Sequence, residues 1–441
     1  MNWTFDDRDE YQRKSIAENL ISLIDNNVDI SPILIDGNWG TGKTEFSLKM
    51  QRLIMDEHPE KKVIYIDAFK EDHCDDPLLS VTAAIAKSLP EPKQKELIKK
   101  IIPALKFTGT TALKAGATWI LKQETETLAE EFQDAIKDTT NAAIDGVMED
   151  IIKDHMDAEK NIIALKEKIR ELATASQIII IVDELDRCRP DFSIAMLEKI
   201  KHIFDIENVY FILITNLQQL KASVNHIYGH SVNADSYLDK FIKYTLSLPE
   251  TFKPDGYTHS HTSLHHWLIL ANNSLTHRDS CLLMKAQFEE LLRIRPLSLR
   301  ETETFFRYFT IFQTVSPDKV GNGKSYSWNL TVLTSIYLYC FSDKRAVTDF
   351  PLKSSIKSFA DTLKAENTTP RVTDIHEMPH YAYVLYGLLK QGGESDYSII
   401  SIDNSDIPFM DEFYERLTER GFNRFKFLDV MKKTFDTFSL L

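Results

Sequence analysis

Over the first 250 positions, apolar residues fall into short dense runs separated by stretches where they recur every three to four residues. In "YQRKSIAENLISLIDNN", Ile16, Leu20, Leu23 and Ile24 share one helical face, which predicts a helix leading into the first strand, "PILID". "KKVIYIDAF" is bounded by charge and rich in β-branched and aromatic residues, and reads as a second buried strand. The clearest is "QIIIIVDELD": Ile178 to Val182 are β-branched without a polar break, the pattern of a strand covered on both faces. "NVYFILITN" follows as a fourth strand and "KYTLSLP" as a weaker fifth. Helical patterns fill the gaps after the first three strands, at "GKTEFSLKMQRLIMDEHP", "DPLLSVTAAIAKSL" and "PDFSIAMLEKIKHIF". The alternation predicts an α/β fold built on a parallel sheet.

Between about 88 and 175 the pattern becomes long, charge-laced helix with no strand, which reads as a helical insertion within a first domain spanning 1–250. Beyond Pro249 the periodicity is helical throughout, in segments such as "CLLMKAQFEELLRI", "LRETETFFRYFTIFQTV" and "WNLTVLTSIYLYCF", so 251–441 is expected to form an all-helical domain.

Composition narrows the class without changing this outline. A chain of 441 residues is too long for one core, and 43% hydrophobic with 27% charged residues is ordinary for a globular protein. The net charge of −14, from 52 basic and 66 acidic side chains, disfavours a general nucleic-acid surface and nucleic-acid translocation, while a local basic patch stays open. The four cysteines, Cys74, Cys188, Cys281 and Cys340, form no CxxC pair, which fits a reducing cytoplasm rather than a zinc site or a disulfide framework. The acidic start "MNWTFDDRDEY" lacks the features of a signal peptide. Residues 101–121 are the most apolar long segment, but Lys106, Lys114 and several threonines make a stable membrane span costly.

Chemistry enters at the first strand-to-helix turn. Gly37, Asn38, Trp39, Gly40, Thr41, Gly42, Lys43 and Thr44 satisfy GxxxxGK[ST] between an apolar strand and a helical pattern, the context of a phosphate-binding loop. With Glu45 they form the expected nucleotide cradle: glycines allow close approach of backbone N–H groups, and the helix N-terminus adds positive potential. Lys43 is expected on the β- and γ-phosphates and Thr44 on Mg²⁺. Asp183 ends the strand of isoleucines and is expected to hold Mg²⁺ through its water shell, with Glu184 beside it to orient and deprotonate water. Taken alone, the same pair also reads as an acidic helix cap. A glutamate directly after the metal aspartate points to the NTPase division in which another strand lies between the two motif-bearing strands. That division calls for a polar sensor at the end of the next strand, where Asn216 either positions water against the γ-phosphate or caps the following helix. No NKxD motif follows the loop, so ATP is favoured over GTP.

"VDELDRCRP", residues 182–190, resembles the DxDRC-P signature of the KAP family of P-loop NTPases. Asp67-Ala68-Phe69 followed by Asp76-Pro77 is similar to the family's Asn-Ala-Trp and Asp-Pro stretches, with Phe69 in place of tryptophan. "YLDKFIKYTLSLP" and "RPLSLRETETFFRYF" resemble two further family segments, and the likeness extends over roughly residues 1–310. It implies a nucleotide-driven switch, ATP and Mg²⁺ as cofactors, and a bacterial or plasmid setting with a role in phage exclusion. Family members often carry membrane helices between the two phosphate-site motifs, whereas this chain reads as a soluble member. Arg187, Arg189, Arg295 and Arg300 each stand as either an arginine finger or sensor, or a structural ion pair; a finger supplied by a neighbouring protomer would make a homo-oligomer part of the mechanism. The alternative reading is a scaffold that holds ATP without turnover and recruits a partner protein through its helical half.

Other features carry less. "VGNGKSYSW" has Asp318 where a phosphate loop needs glycine, and reads as a loop. "HSHTSLHHW" gathers His259, His261, His265 and His266, and reads as the start of a helix rather than a metal site. Phe305, Phe306, Tyr308 and Phe309 are expected in the helical core.

Overall fold

The computed structural model describes residues 3–73, 77–87, 163, 166–167, 169–321, 323–363, 380–394, 397, 407–418 and 426–439. The 101–121 segment and all but the end of the 88–175 insertion lie outside these residues; residues 169–175 are helical. The chain divides into two compact units, Met1–Pro249 and Glu250–Leu441.

The first unit carries five strands: β1 (Ile33–Asp36), β2 (Lys62–Asp67), β3 (Ile178–Asp183), β4 (Val209–Thr215) and β5 (Tyr244–Ser247). They form one sheet in the order β2-β3-β4-β1-β5, with all neighbours parallel. Thus β4 lies between β1, which feeds the phosphate loop, and β3, which ends on Asp183, as the additional-strand division requires. Around the sheet lie α1 (Lys14–Asp25), α2 (Lys43–Glu57), α3 (Ala68–Glu71), α4 (Pro77–Lys87), α5 (Pro190–Phe204) and α6 (Leu217–Tyr228).

The two-residue period of a strand distributes its side chains between two cores. Ile178, Ile180 and Val182 of β3 join Phe211 and Leu213 of β4 in a layer with Leu197 and Ile200 of α5 and Leu220 of α6. Ile179 and Ile181 face the opposite layer, with Ile212 and Ile214 and with Phe46, Met50 and Ile54 of α2. Every β3 residue is buried, which explains the absence of a polar alternation in its sequence. In α1 the buried residues are Ala17, Leu20, Ile21 and Ile24, and Ile16 packs only partly against the core. The predicted stripe is therefore rotated, because Ala17 permits the closest approach while adding little hydrophobicity to the pattern.

In the second unit Trp267 is fully buried at the centre of an aromatic cluster, with ring centroids 4.6 Å from Phe288 and 5.3 Å from Phe309. Its indole N–H donates to the Cys281 carbonyl, so burial leaves no orphan donor. Helix α7 (Leu299–Val315) begins with a capping box between Ser298 and Glu301. It buries Phe305 and Phe309, while Phe306 and Tyr308 pack against the same core. The histidine-rich segment leads into a helix at Thr262, and His266 pairs with Glu303 at 3.2 Å. Near Gly-Lys-Ser, Lys324 forms an ion pair of 2.8 Å with Asp318, the residue standing where a phosphate loop would have glycine.

Candidate functional site

The turn between β1 and α2 uses its glycines in distinct ways. Gly40 and Gly42 have φ of 78° and 86°, left-handed conformations that favour glycine. At Gly37 the constraint is contact: a Cβ there would stand 2.8 Å from Thr41 Oγ1 and 3.2 Å from Lys43 Cγ. The loop wraps back upon itself, with Thr41 N–H and Oγ1 donating to the Asn38 carbonyl. Lys43 reaches into the same curve, and its ammonium donates to the carbonyls of Gly37 at 2.6 Å and Asn38 at 3.2 Å. Burial pulls the Lys43 pKa below the ordinary lysine value, opposed by the carboxylates of Asp186, Asp183, Glu184 and Asp36. A cationic head under this desolvation, at a helix N-terminus, suits an anionic ligand.

The acidic motif converges on the start of α2. Thr44 Oγ1 donates to Glu184 Oε1 at 2.8 Å, and Ser47 Oγ donates to Asp183 Oδ2 at 3.1 Å. Asp183 is 1% exposed and also accepts from the Tyr65 hydroxyl at 2.8 Å and from the Glu184 N–H at 2.7 Å. Burial raises its pKa, while these three hydrogen-bond donors work in the opposite direction. Glu184 has a left-handed backbone, φ 61°, unusual for a non-glycine residue and found preferentially at functional turns. Its carboxyl is raised above the ordinary range, first by burial, against the lowering pull of Thr44 and Arg187. Arg187 forms an ion pair with Glu184 Oε2. Thus Arg187 braces the carboxylate, and Arg189 braces its surroundings by gripping Asp72 through backbone and side chain.

The remaining expected residues divide. Asn216 is buried, and its Oδ1 accepts from the N–H groups of Gln218 and Gln219, so the side chain caps α6. Glu45 directs its carboxylate away from the loop, to Arg8 at 3.1 Å and Lys49 at 2.7 Å. Arg295 pairs with Glu301 at 2.8 Å within the second unit. Arg300 lies exposed on the first turn of α7, in that unit.

Three contributors escaped the sequence reading. Tyr65 sits on β2, where an aromatic is ordinary strand composition. Arg13 is 6% exposed and donates to the Thr41 carbonyl at 2.9 Å, supporting the loop from outside; nothing in its local sequence marks it. Asp186, within the recognised "DELD" stretch, accepts from Trp39 Nε1 at 2.5 Å and Thr215 Oγ1 at 3.3 Å.

The residues fit ATP and Mg²⁺: a cradle that a Cβ at Gly37 would fill, a buried lysine, and a hydroxyl beside carboxylate oxygen, the hard donor set that Mg²⁺ takes with phosphate and water. Among the described residues no cluster of three His, Cys, Asp or Glu forms a self-contained metal cage, and no helix is long and apolar enough to cross a membrane.

Two solved structures span nearly the whole chain. A DNA replication initiation factor is 11% identical with a TM-score of 0.31, covering 99% of this chain and 98% of that one. The Aeropyrum pernix ORC2 protein, determined in ADPNP-ADP complexes, is 10% identical with a TM-score of 0.33, covering 97% and 95%. At these scores the likeness carries no argument about function. No curated protein matches the chain. The model of the KAP family P-loop domain matches residues 13–316, more than half the chain and every element of the site built above, and the protein belongs to the KAP family of P-loop NTPases.

Proposed function

We infer that this KAP-family protein binds ATP with Mg²⁺ and hydrolyses it, as a nucleotide-driven switch. The observation that carries the reading is the convergence of Lys43, Thr44, Asp183 and Glu184 at the N-terminus of α2. The loop's backbone N–H groups and Lys43 hold the phosphates; Lys43 exchanges its two carbonyl partners for phosphate oxygens, which offset its desolvation better. Thr44 and Asp183 would hold Mg²⁺, which would supply neutralisation of phosphate charge there. Glu184 accepts a proton from the attacking water, a task suited to a carboxyl raised by burial. Asn216 orients that water through its amide nitrogen, its oxygen being committed to the helix cap. Arg300, exposed on α7, is the arginine offered across a protomer boundary in a homo-oligomer.

The test is phosphate release by purified protein beside Glu184→Gln. A fall of about 10²- to 10³-fold with nucleotide binding retained supports hydrolysis; an equally low rate in both overturns it. One observation favours the second reading, a non-hydrolysing scaffold that recruits a partner: both Glu184 oxygens are engaged, by Thr44 and Arg187. If that holds, Arg187→Ala leaves phosphate release at the same low rate. The proposed cytoplasmic setting in phage exclusion rests on the family resemblance, and is tested by phage plating on cells carrying the wild type or Lys43→Ala.

A further inference from the structure

The geometry points to Asp186 as a positioning residue that couples the phosphate loop to the end of β4, through a relay Trp39–Asp186–Thr215. The proposal rests on the ATP-hydrolysing reading above and adds to it how the loop, the acidic turn and the end of β4 are kept in register. Trp39 belongs to the loop, Asp186 to the short 3₁₀ turn Leu185–Arg187 that follows the proposed metal and base carboxylates, and Thr215 is the last residue of β4. Each oxygen of Asp186 serves one partner: Oδ2 accepts the Trp39 indole N–H at 2.5 Å, and Oδ1 accepts the Thr215 hydroxyl at 3.3 Å.

Several features distinguish this from incidental surface contact. Trp39 is 49% exposed, so packing covers only about half of it, and its indole hydrogen bond to a charged acceptor adds a directional constraint. Thr215 is fully buried and precedes Asn216, so anything that holds its hydroxyl also fixes where the proposed water-positioning residue begins. Glu184 sits two residues before Asp186 on a left-handed backbone, so a tether at Asp186 also restrains the turn that aims the base. Since an error of about 1 Å in such placements costs on the order of 10²-fold in rate, a relay that sets the distance between loop and β4 acts on turnover more than on affinity.

The substitutions separate geometry from charge. Trp39→Phe removes only the indole donor, Thr215→Val only the hydroxyl, Asp186→Ala both acceptors, and Asp186→Asn removes the charge while an amide can still accept from Trp39 and donate to Thr215 Oγ1. In steady-state ATP turnover by the full chain, the first three are expected to lower kcat by about tenfold while KM and the affinity for a fluorescent ATP analogue change by less than about threefold. Trp39→Phe with Thr215→Val is expected to cost no more than either alone, because both act through one carboxylate, and Asp186→Asn is expected to recover most of the Asp186→Ala loss. Additive losses, wild-type kcat in Asp186→Ala, or no recovery in Asp186→Asn would overturn the relay. If the wild type binds nucleotide but turns nothing over, the hydrolysis reading has failed, and the relay is read separately from the indole N–H resonance of Trp39, assigned by its loss in Trp39→Phe. That resonance is expected to move in Thr215→Val. Because β1 also pairs with the end of β4 through Asp36, the same substitution is made in an Asp186→Ala background, where the resonance is expected to stay in place; an unmoved resonance in Thr215→Val, or an equal move without Asp186, refutes the coupling.

Discussion

Thr44 Oγ1 and Glu184 Oε1 lie 2.8 Å apart although 140 positions separate them in the chain. This bond places the loop hydroxyl and the proposed base on one locus, so removing the hydroxyl has a definite consequence. Thr44→Val keeps the shape and deletes the donor and ligand. Its affinity for ATP is expected to fall by about 10- to 100-fold with Mg²⁺ present, from the loss of one charge-assisted contact, and to differ little from wild type in EDTA. Fluorescent-nucleotide titrations with and without Mg²⁺ measure both.

Gly37→Ala tests the cradle itself. The added methyl would meet Thr41 Oγ1 at 2.8 Å and Lys43 Cγ at 3.2 Å, and both side chains have space to yield only by leaving their present places. Folding stability is expected to drop by about 1–3 kcal/mol and nucleotide affinity by at least tenfold, as read by thermal unfolding with and without ATP. A variant that binds as tightly as wild type would show that Lys43 does not need its present path.

Glu71 gives the first unit a pH dependence. Its Oε2 is buried without a hydrogen-bond partner, beside a cavity of about 240 Å³ lined by Tyr65, Asp67, Ser80 and Lys87. Burial, the largest cause, pushes its pKa from 4.5 up to about 7. Because the folded value is the higher, the folded protein holds more protons between pH 4.5 and 7. Stability is therefore expected to fall as pH rises through that window and to stay at the lower level above it. Glu71→Gln should match wild type near pH 4.5 and exceed it by about 1–2 kcal/mol at pH 8, as measured by urea unfolding at both pH values.

Core truncation separates the two units. Ile181 is fully buried in the layer against α2, and Ile181→Ala is expected to cost about 2–5 kcal/mol. Trp267→Ala in the second unit is expected to cost about 3–5 kcal/mol or more. In calorimetry the first should lower a transition that nucleotide raises, since ligand binding stabilises the unit that holds it. The second should lower a transition insensitive to nucleotide; a shift of the same transition by both variants would mean that the units unfold together.

Much of this site was legible because its signatures are local. Three glycines within six positions before Lys43 and Thr44 impose a sharp turn, whatever the rest of the chain does. Five β-branched residues before Asp183 specify a doubly covered strand with a carboxylate at its tip. Those features, and the alternation that makes a parallel sheet, follow from backbone sterics and burial within windows of ten residues. The fate of individual polar side chains was not legible, because it depends on which strand ends become neighbours. Register sets Asp67 opposite Asp183 and Tyr65 opposite Ile181, which lets the Tyr65 hydroxyl reach Asp183. The placement of β4 between β1 and β3 gives Asp186 both Trp39 and Thr215. Asn216 and Arg187 were each left between two roles by sequence; the tertiary structure gives one a cap to make and the other a carboxylate to hold. Sequence determined where charge and backbone donors can occur, and folding decided which of them meet, since a hydrogen bond between residues 140 positions apart has no expression in local periodicity.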